Sequence, residues 1–238
     1  MQSALRLIFP PQCVSCGSLV DSEFTLCGDC WRQTPFINGN VCDQCGTPLA
    51  GEPCGTPEYC DDCLTIARPW AQGRAALLYR DNGRRLVLAL KHGDRLDLAK
   101  PAARWLAAVG RPILQSGMVV VPVPAHWQRL LRRRYNQAAE LARQMAAISG
   151  HDCCPDALFR SRKTAVQDGM GRDERFRNMS AAIRPNPRRK AILQGRAVVL
   201  VDDVMTSGAT LAAATEACLV AGATHVCVLV LARVAKDT

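Results

Sequence analysis

The sequence predicts an α/β protein, a mostly parallel sheet with helices on both faces, preceded by a small Cys-rich segment. Three observations carry that expectation. From residue 73 onward, apolar runs of strand length alternate with helix-length stretches. Runs such as "MVVVPVP" and "AVVLV" are apolar without alternation, as strands covered on both faces are. Finally, nine of the thirteen cysteines crowd into residues 13–63, and their density then collapses. The division expected is residues 1–68 for the Cys-rich segment and 69–238 for the α/β domain, with the junction near residues 69–73.

The elements follow in order. "GRAALLY" reads as a short strand and "RDNG" as the turn after it. "RRLVLALKHGD" and "LAKPAARWLAAVG" read as helices, broken around Gly93 and stopped at Gly110, with Pro101 near the start of the second. After the strand "MVVVPVP" come the helix "NQAAELARQMAAISG", closed by a glycine, and the short strand "ALFR". Residues 160–196 are polar and basic, either a solvated loop or a lid. "AVVLV", the helix "TLAAATEACLVAG" and the strand "THVCVLVLARV" complete the alternation, which calls for right-handed crossovers.

Composition narrows the class. The chain has 238 residues and a formal net charge of +9. No apolar run approaches the ~18 residues of a membrane helix. The start, "MQSALRLIFPPQC", lacks a small-residue cleavage site behind a long apolar region. A soluble cytoplasmic protein without membrane insertion is expected. The basic balance suits nucleic acid or phosphorylated small molecules and does not choose between them.

Eight of the clustered cysteines form four C-x-x-C pairs: Cys13/Cys16, Cys27/Cys30, Cys42/Cys45 and Cys60/Cys63. Two intervening residues let both thiolates turn toward one metal, at Zn–S distances of about 2.3 Å. One or two structural Zn²⁺ ions are expected, because an all-Cys ligand set leaves no open position for a catalytic water. So small a segment has little core, and metal binding supplies folding free energy. Sequential and interleaved pairings are both open. Cys54 is the odd residue, whereas Cys153, Cys154, Cys218 and Cys227 read as small core residues.

The richest stretch is "VVLVDDVMTSGATL", residues 198–211. An apolar strand runs into two adjacent carboxylates, Asp202 and Asp203, and then into a hydroxyl-rich turn at a helix start. In open α/β sheets ligands bind at the carboxyl ends of strands. The backbone amides of Thr206, Ser207, Gly208, Ala209 and Thr210 would sit at the positive end of the following helix, a site for an anion. The carboxylates suit vicinal hydroxyls, directly or through a divalent cation. A phosphate on one side and a diol on the other describe a ribose 5-phosphate.

Residues 198–210 resemble the phosphoribosyl-pyrophosphate (PRPP) motif of type I phosphoribosyltransferases at every position. That resemblance makes the expected fold type I phosphoribosyltransferase-like. It implies a pyrophosphate-binding loop at Pro124, Ala125 and His126, followed by Arg129, Arg132, Arg133 and Arg134. Together with the Cys-rich segment, "RRRYNQAAELA" and "RSRKTAVQDGMGRDERFRNMSAAI", the chain resembles the ComF/GntX-type competence protein family over nearly its whole length. That family's Gln, Arg and Arg-x-x-Asn pattern falls on Gln167, Arg172, Arg175 and Asn178. Its Lys-aromatic-x-Gly region is matched only in part by "KHGD", with His92 in the aromatic place and the glycine one position early, so Lys91 receives no role. The resemblance implies PRPP with Mg²⁺, ribose held by Asp202 and Asp203, and leaving pyrophosphate neutralised by Arg172 or Arg175. Only "AKDT" follows the last strand, so a hood over the acceptor is expected in residues 73–110 or the zinc segment.

Two functions are therefore expected. One is transfer of phosphoribose from PRPP to an acceptor. The other is a competence protein that contacts single-stranded DNA or a helicase and keeps the PRPP-type site for a ligand, with Trp127 and Tyr135 flanking the arginines. A zinc-dependent hydrolase or redox protein ranks below both.

Overall fold

A computed structural model describes residues 9–92, 95–125, 135–161, 174, 176, 179 and 182–235. Its centre is a five-stranded sheet of β1 (Gln72–Leu78), β2 (Val119–Pro122), β3 (Asp152–Cys153), β6 (Ala197–Met205) and β7 (His225–Arg233), in the order β1-β7-β6-β2-β3. Every pairing is parallel, so the carboxyl ends share one edge. The middle strands are apolar along their central residues because both faces are covered. Val199, Val201, Cys227 and Leu229 pack toward α3 (Asp81–His92), α4 (Ala99–Gly110) and α5 (Gln137–Ser149). Val198, Leu200, Val226 and Val228 pack toward α7 (Ala209–Val220).

Helix α5 has both of its expected stops. Asn136 caps it by accepting from the Ala138 amide, and Gly150 closes it at φ 73°. Helix α7 is nearly all Ala, Leu and Cys along its buried side, and these small side chains let it lie close to the sheet. Because α5 and α7 cover opposite faces, the chain changes face between β2 and β6. Such a switch point is where open α/β sheets bind ligands.

Three elements differ from the sequence expectation. "RDNG" is no free turn: α3 begins at Asp81, and Asn82 is buried, donating to the Cys30 carbonyl and to Thr34 Oγ1. "ALFR" becomes β4 (Leu158–Arg160), which pairs antiparallel with β5 (Ile183–Pro185) outside the main sheet and packs on α7. The C-terminal part of the polar 160–196 stretch is thus ordered as β5 and a short helix, α6 (Lys190–Leu193). The two-residue edge strand β3 is too short to leave a sequence pattern.

The Cys-rich segment carries two short helices, α1 (Gly28–Arg32) and α2 (Asp61–Thr65), and shares its core with the sheet. Val14 belongs to the α3/α4/α5 face, and Cys42, Cys45, Cys63 and Trp70 to the α7 face. The backbone at residues 43–44 lies directly on β1. Gly73 donates to the Asp43 carbonyl at 2.8 Å, and a Cβ at Gly73 would collide with the Gln44 carbonyl oxygen and the Val228 side chain. Asp43 also forms a 2.7 Å ion pair with Arg74. No helix among the described residues is long and apolar enough to cross a membrane.

Candidate functional site

The eight paired cysteines form two separate groups, Cys13/Cys16/Cys27/Cys30 and Cys42/Cys45/Cys60/Cys63. Of the two pairings left open, the sequential one is present. Within each group the four sulfurs lie within 4.8 Å of one another. A tetrahedral zinc with 2.3 Å bonds places its sulfurs about 3.8 Å apart. Cys16 and Cys27 Sγ stand at 3.7 Å, and Cys45 and Cys60 Sγ at 3.5 Å. These separations fit a shared metal and far exceed a disulfide bond of about 2.05 Å. Structural zinc fits both groups, and each set of four cysteines would hold one ion.

Local chemistry favours the thiolate at some of these cysteines and opposes it at others, since burial first pushes Cys30 up to about 12 and Cys60 up to about 11. Cys13 Sγ accepts from the Cys27 amide, and Cys27 Sγ from the Cys30 amide. The Cys16 thiol is drawn down to about 6, first by its bond with the Ser18 hydroxyl. Cys45 is drawn far below the ordinary thiol range, first by Cys42 and Cys63, with the charge of Arg233 adding to the effect. Cys54 lies outside both groups, exposed and bonded to Thr56 and Glu58. Cys154, Cys218 and Cys227 are buried core residues, and Cys153 is half-buried. Burial alone pushes the Cys218 thiol up to about 12.

At the carboxyl edge, β6 runs further than its apolar portion. It continues through both aspartates to Met205, because β7 stays paired beside it, with Asp202 opposite Val230 and Met205 opposite Arg233. The β2 partner stops at Pro122 opposite Val201. Asp202 and Asp203 are therefore open only on the side facing β2, and both are half-buried. Asp202 Oδ1 accepts from the Asp203 amide at 2.8 Å. Burial, then the adjacent Asp203 charge, raises Asp202 to about 7, opposed in part by Lys91 and Arg160.

Lys91 is the residue the sequence left without a role. Its Nζ lies 3.2 Å from Asp203 Oδ1. The end of α3 that presents it is anchored by the start of α5 and the residues before it: Tyr135 donates to the Leu90 carbonyl and Gln137 Nε2 to that of Lys91. Tyr135 is half-buried, with its hydroxyl held by that bond. The usable signal was a lysine on the apolar-patterned helix that the α/β alternation lays over the same sheet edge.

After Met205 the chain makes the turn 206–208 into α7, with Gly208 at φ 84°, a left-handed conformation that L side chains disfavour. Thr206, Ser207 and Thr210 are half-buried, whereas Gly208 and Ala209 are buried. Among the described residues, the amides of Thr206, Ser207 and Gly208 have no protein acceptor. Ser207 Oγ accepts a long 3.4 Å bond from the Ala209 amide, which leaves its proton able to donate outward. This turn can accept an anion through amides and hydroxyls. Across the switch point, Val123 donates to the Val201 carbonyl, which sets Pro124 and Ala125 beside the acidic strand. His126, Trp127, Arg129, Arg132, Arg133, Arg134, Gln167, Arg172, Arg175 and Asn178 lie outside the described residues.

The fold and the paired cysteines define a double zinc ribbon joined to a phosphoribosyltransferase-type domain. Comparison with known families agrees: a double zinc ribbon domain matches residues 4–64, and a phosphoribosyl transferase domain matches residues 136–238. The DNA utilization protein YhgH of Escherichia coli K12 is 30% identical over 235 residues, covering 95% of this chain and 99% of the relative. Competence protein F of Haemophilus influenzae is 26% identical, covering 84% of this chain and 87% of its own. Competence protein ComFC of Bacillus subtilis is 25% identical, covering 81% and 77%. The chain belongs to the ComF/YhgH family. Among solved structures, an allosteric regulatory enzyme of purine biosynthesis aligns at 17% identity with a TM-score of 0.41, over 60% of this chain and 30% of that one.

Proposed function

We propose that this chain binds PRPP at the carboxyl edge of β6 and transfers its phosphoribosyl group to a nucleophilic acceptor. One observation carries the reading: an acidic pair countered by Lys91 adjoins a turn whose amides at 206–208 have no protein acceptor among the described residues, at the switch point of a parallel sheet. The 5-phosphate would lie on the turn of Thr206, Ser207, Gly208, Ala209 and Thr210. Asp202 and Asp203 would take the ribose hydroxyls, and Pro124, Ala125 and His126 would face the pyrophosphate.

In the reaction, the C1–O bond to pyrophosphate breaks and its electron pair leaves with the pyrophosphate. The acceptor forms the new bond to C1 and releases its proton to solvent. Positive charge develops on the ribose ring, where carboxylates stabilise it, and negative charge grows on the leaving group. Arg172 and Arg175 are the candidates to neutralise that leaving group. Mg²⁺, held by the ligand's oxygens and the acidic pair, would supply further charge neutralisation.

Calorimetric titration of PRPP with Mg²⁺ into the zinc-replete protein tests the reading. Saturable binding is expected, weakened at least tenfold in the Asp202→Asn/Asp203→Asn double variant. Absence of binding to the wild type overturns it.

A second reading is supported by the +9 net charge and by relatives named for DNA utilization and competence. Here the chain contacts single-stranded DNA or a helicase partner, and the PRPP-type site takes a ligand without turnover. DNA affinity that falls steeply with salt, with no PRPP turnover, would favour it.

A further inference from the structure

Behind the turn at residues 206–208 stand two buried arginines, Arg68 at 8% exposure and Arg233 at 3%. Arg68 Nη1 donates to the Ser207 carbonyl at 2.5 Å. Arg233 Nη1 donates to the Thr206 carbonyl at 2.7 Å and to that of Met205 at 3.3 Å. Three successive carbonyls are therefore held by guanidiniums. In a trans peptide the C=O and the following N–H point in opposite directions. Holding the carbonyls of residues 205, 206 and 207 turns the amides of Thr206, Ser207 and Gly208 away from the arginines. These are the amides without a protein acceptor among the described residues.

Arg68 also reaches the second cysteine group, through Trp70, which shares an apolar core with Cys42, Cys45 and Cys63. Arg68 also lies 5.3 Å from the Trp70 ring centroid, and Trp70 Nε1 donates at 2.6 Å to the carbonyl of Gln44, inside the Cys42/Cys45 pair. Neither arginine has a carboxylate partner among the described residues. Their Nη1 atoms are spent instead on backbone carbonyls.

We propose that Arg68 and Arg233 are positioning residues for the anion-binding turn, and that Arg68, through Trp70 and Gln44, couples the Cys42/Cys45/Cys60/Cys63 zinc knuckle to it. The knuckle anchors Arg68, and the two guanidiniums aim the turn's amides at the 5-phosphate. The inference rests on the phosphoribosyl reading above and adds to it the groups that set phosphate affinity. It also gives the second knuckle a part in ligand binding.

The test compares wild type, Arg68→Gln and Arg68→Lys by calorimetry, using ribose 5-phosphate and, separately, Mg²⁺-pyrophosphate, with zinc content and melting temperature measured alongside. The expected result in Arg68→Gln is a tenfold or greater loss of ribose 5-phosphate affinity, pyrophosphate affinity within twofold of wild type, and two zinc ions retained. Arg68→Lys should recover part of the loss, because one ammonium can reach the carbonyl without the guanidinium's second arm. Unchanged ribose 5-phosphate affinity in folded Arg68→Gln overturns the coupling while leaving the phosphoribosyl reading intact. Equal loss for both ligands also overturns it, since that marks a general structural defect. If the wild type binds neither ligand, the phosphoribosyl reading falls and the inference with it. Should Arg68→Gln not fold, Arg68→Lys decides alone: a loss of threefold or more in ribose 5-phosphate affinity supports the coupling, and equality with wild type overturns it.

Discussion

Asp202 concentrates the cost of the site in one side chain. Its carboxyl is raised to about 7 by burial and by Asp203, so folding opposes its ionisation. A carboxylate whose folded pKa exceeds its unfolded value binds more protons folded than unfolded, and stability falls as pH rises between the two values. Asp202→Asn removes that opposition. It should raise stability at pH 7 to 8 by on the order of 1–3 kcal/mol, measured by denaturant unfolding, while weakening PRPP binding. Wild-type PRPP affinity should fall as pH drops from 8 to 6, because the neutral acid cannot attract a cation; a flat profile over that range would contradict this. Gly208 is the second sensitive position. A Cβ there would stand 2.7 Å from Arg68 Nη1 and 2.9 Å from the Trp70 ring, at a backbone φ of 84°. Gly208→Ala should cost about 1–2 kcal/mol in stability and weaken ribose 5-phosphate binding at least tenfold.

Among the elements, the two knuckles are chemically alike but attached to different parts of the molecule. The first sits against the start of α3: Ser15 Oγ donates to Asn82 Oδ1, and Asn82 in turn donates to the Cys30 carbonyl. The second sits on β1 and behind the turn into α7. Loss of the second metal should therefore weaken ribose 5-phosphate binding more than loss of the first. Cys60→Ser against Cys16→Ser compares them, with zinc content and ligand affinity as readouts, and equal effects would contradict the prediction. The elements also show where local sequence misleads. "RDNG" has turn composition, yet Asn82 spends its hydrogen bonds on a segment 48 to 52 residues earlier in the chain. "ALFR" has strand composition, but nothing within those residues says which sheet it joins.

The second knuckle and the sheet are held as one unit because Cys42, Cys45 and Cys63 belong to the same apolar core as the sheet, and Val14 ties the first knuckle to the other face. Cys42 and Cys45 are fully buried in the cluster that contains Val198, Leu200 and α7. A ribbon that packs this way cannot unfold without exposing the sheet face beneath it. Chelation of zinc should accordingly lower the melting temperature of the sheet and give a single cooperative transition, read by circular dichroism. Two independent transitions, with the sheet's unchanged, would show that the ribbons merely decorate the domain.

The sequence by itself determined the α/β class, the four cysteine pairs and the position of the acidic pair and hydroxyl turn. Each of these is local: unbroken apolar runs, two-residue cysteine spacing, and a strand-turn-helix read within fourteen consecutive residues. Tertiary structure alone decided the sequential cysteine grouping, the extension of β6 through Asp203, and the approach of Lys91 to that carboxylate. It also decided that Arg68 and Arg233, 165 residues apart in the numbering, would meet behind one turn. A guanidinium's partners are set by which surfaces the folded chain brings together, and an arginine near a zinc knuckle looks, in sequence, like any other solvated charge. Buried charge pairing and long-range hydrogen bonds leave no periodic trace, which is why the chemistry of the edge was legible and its support was not.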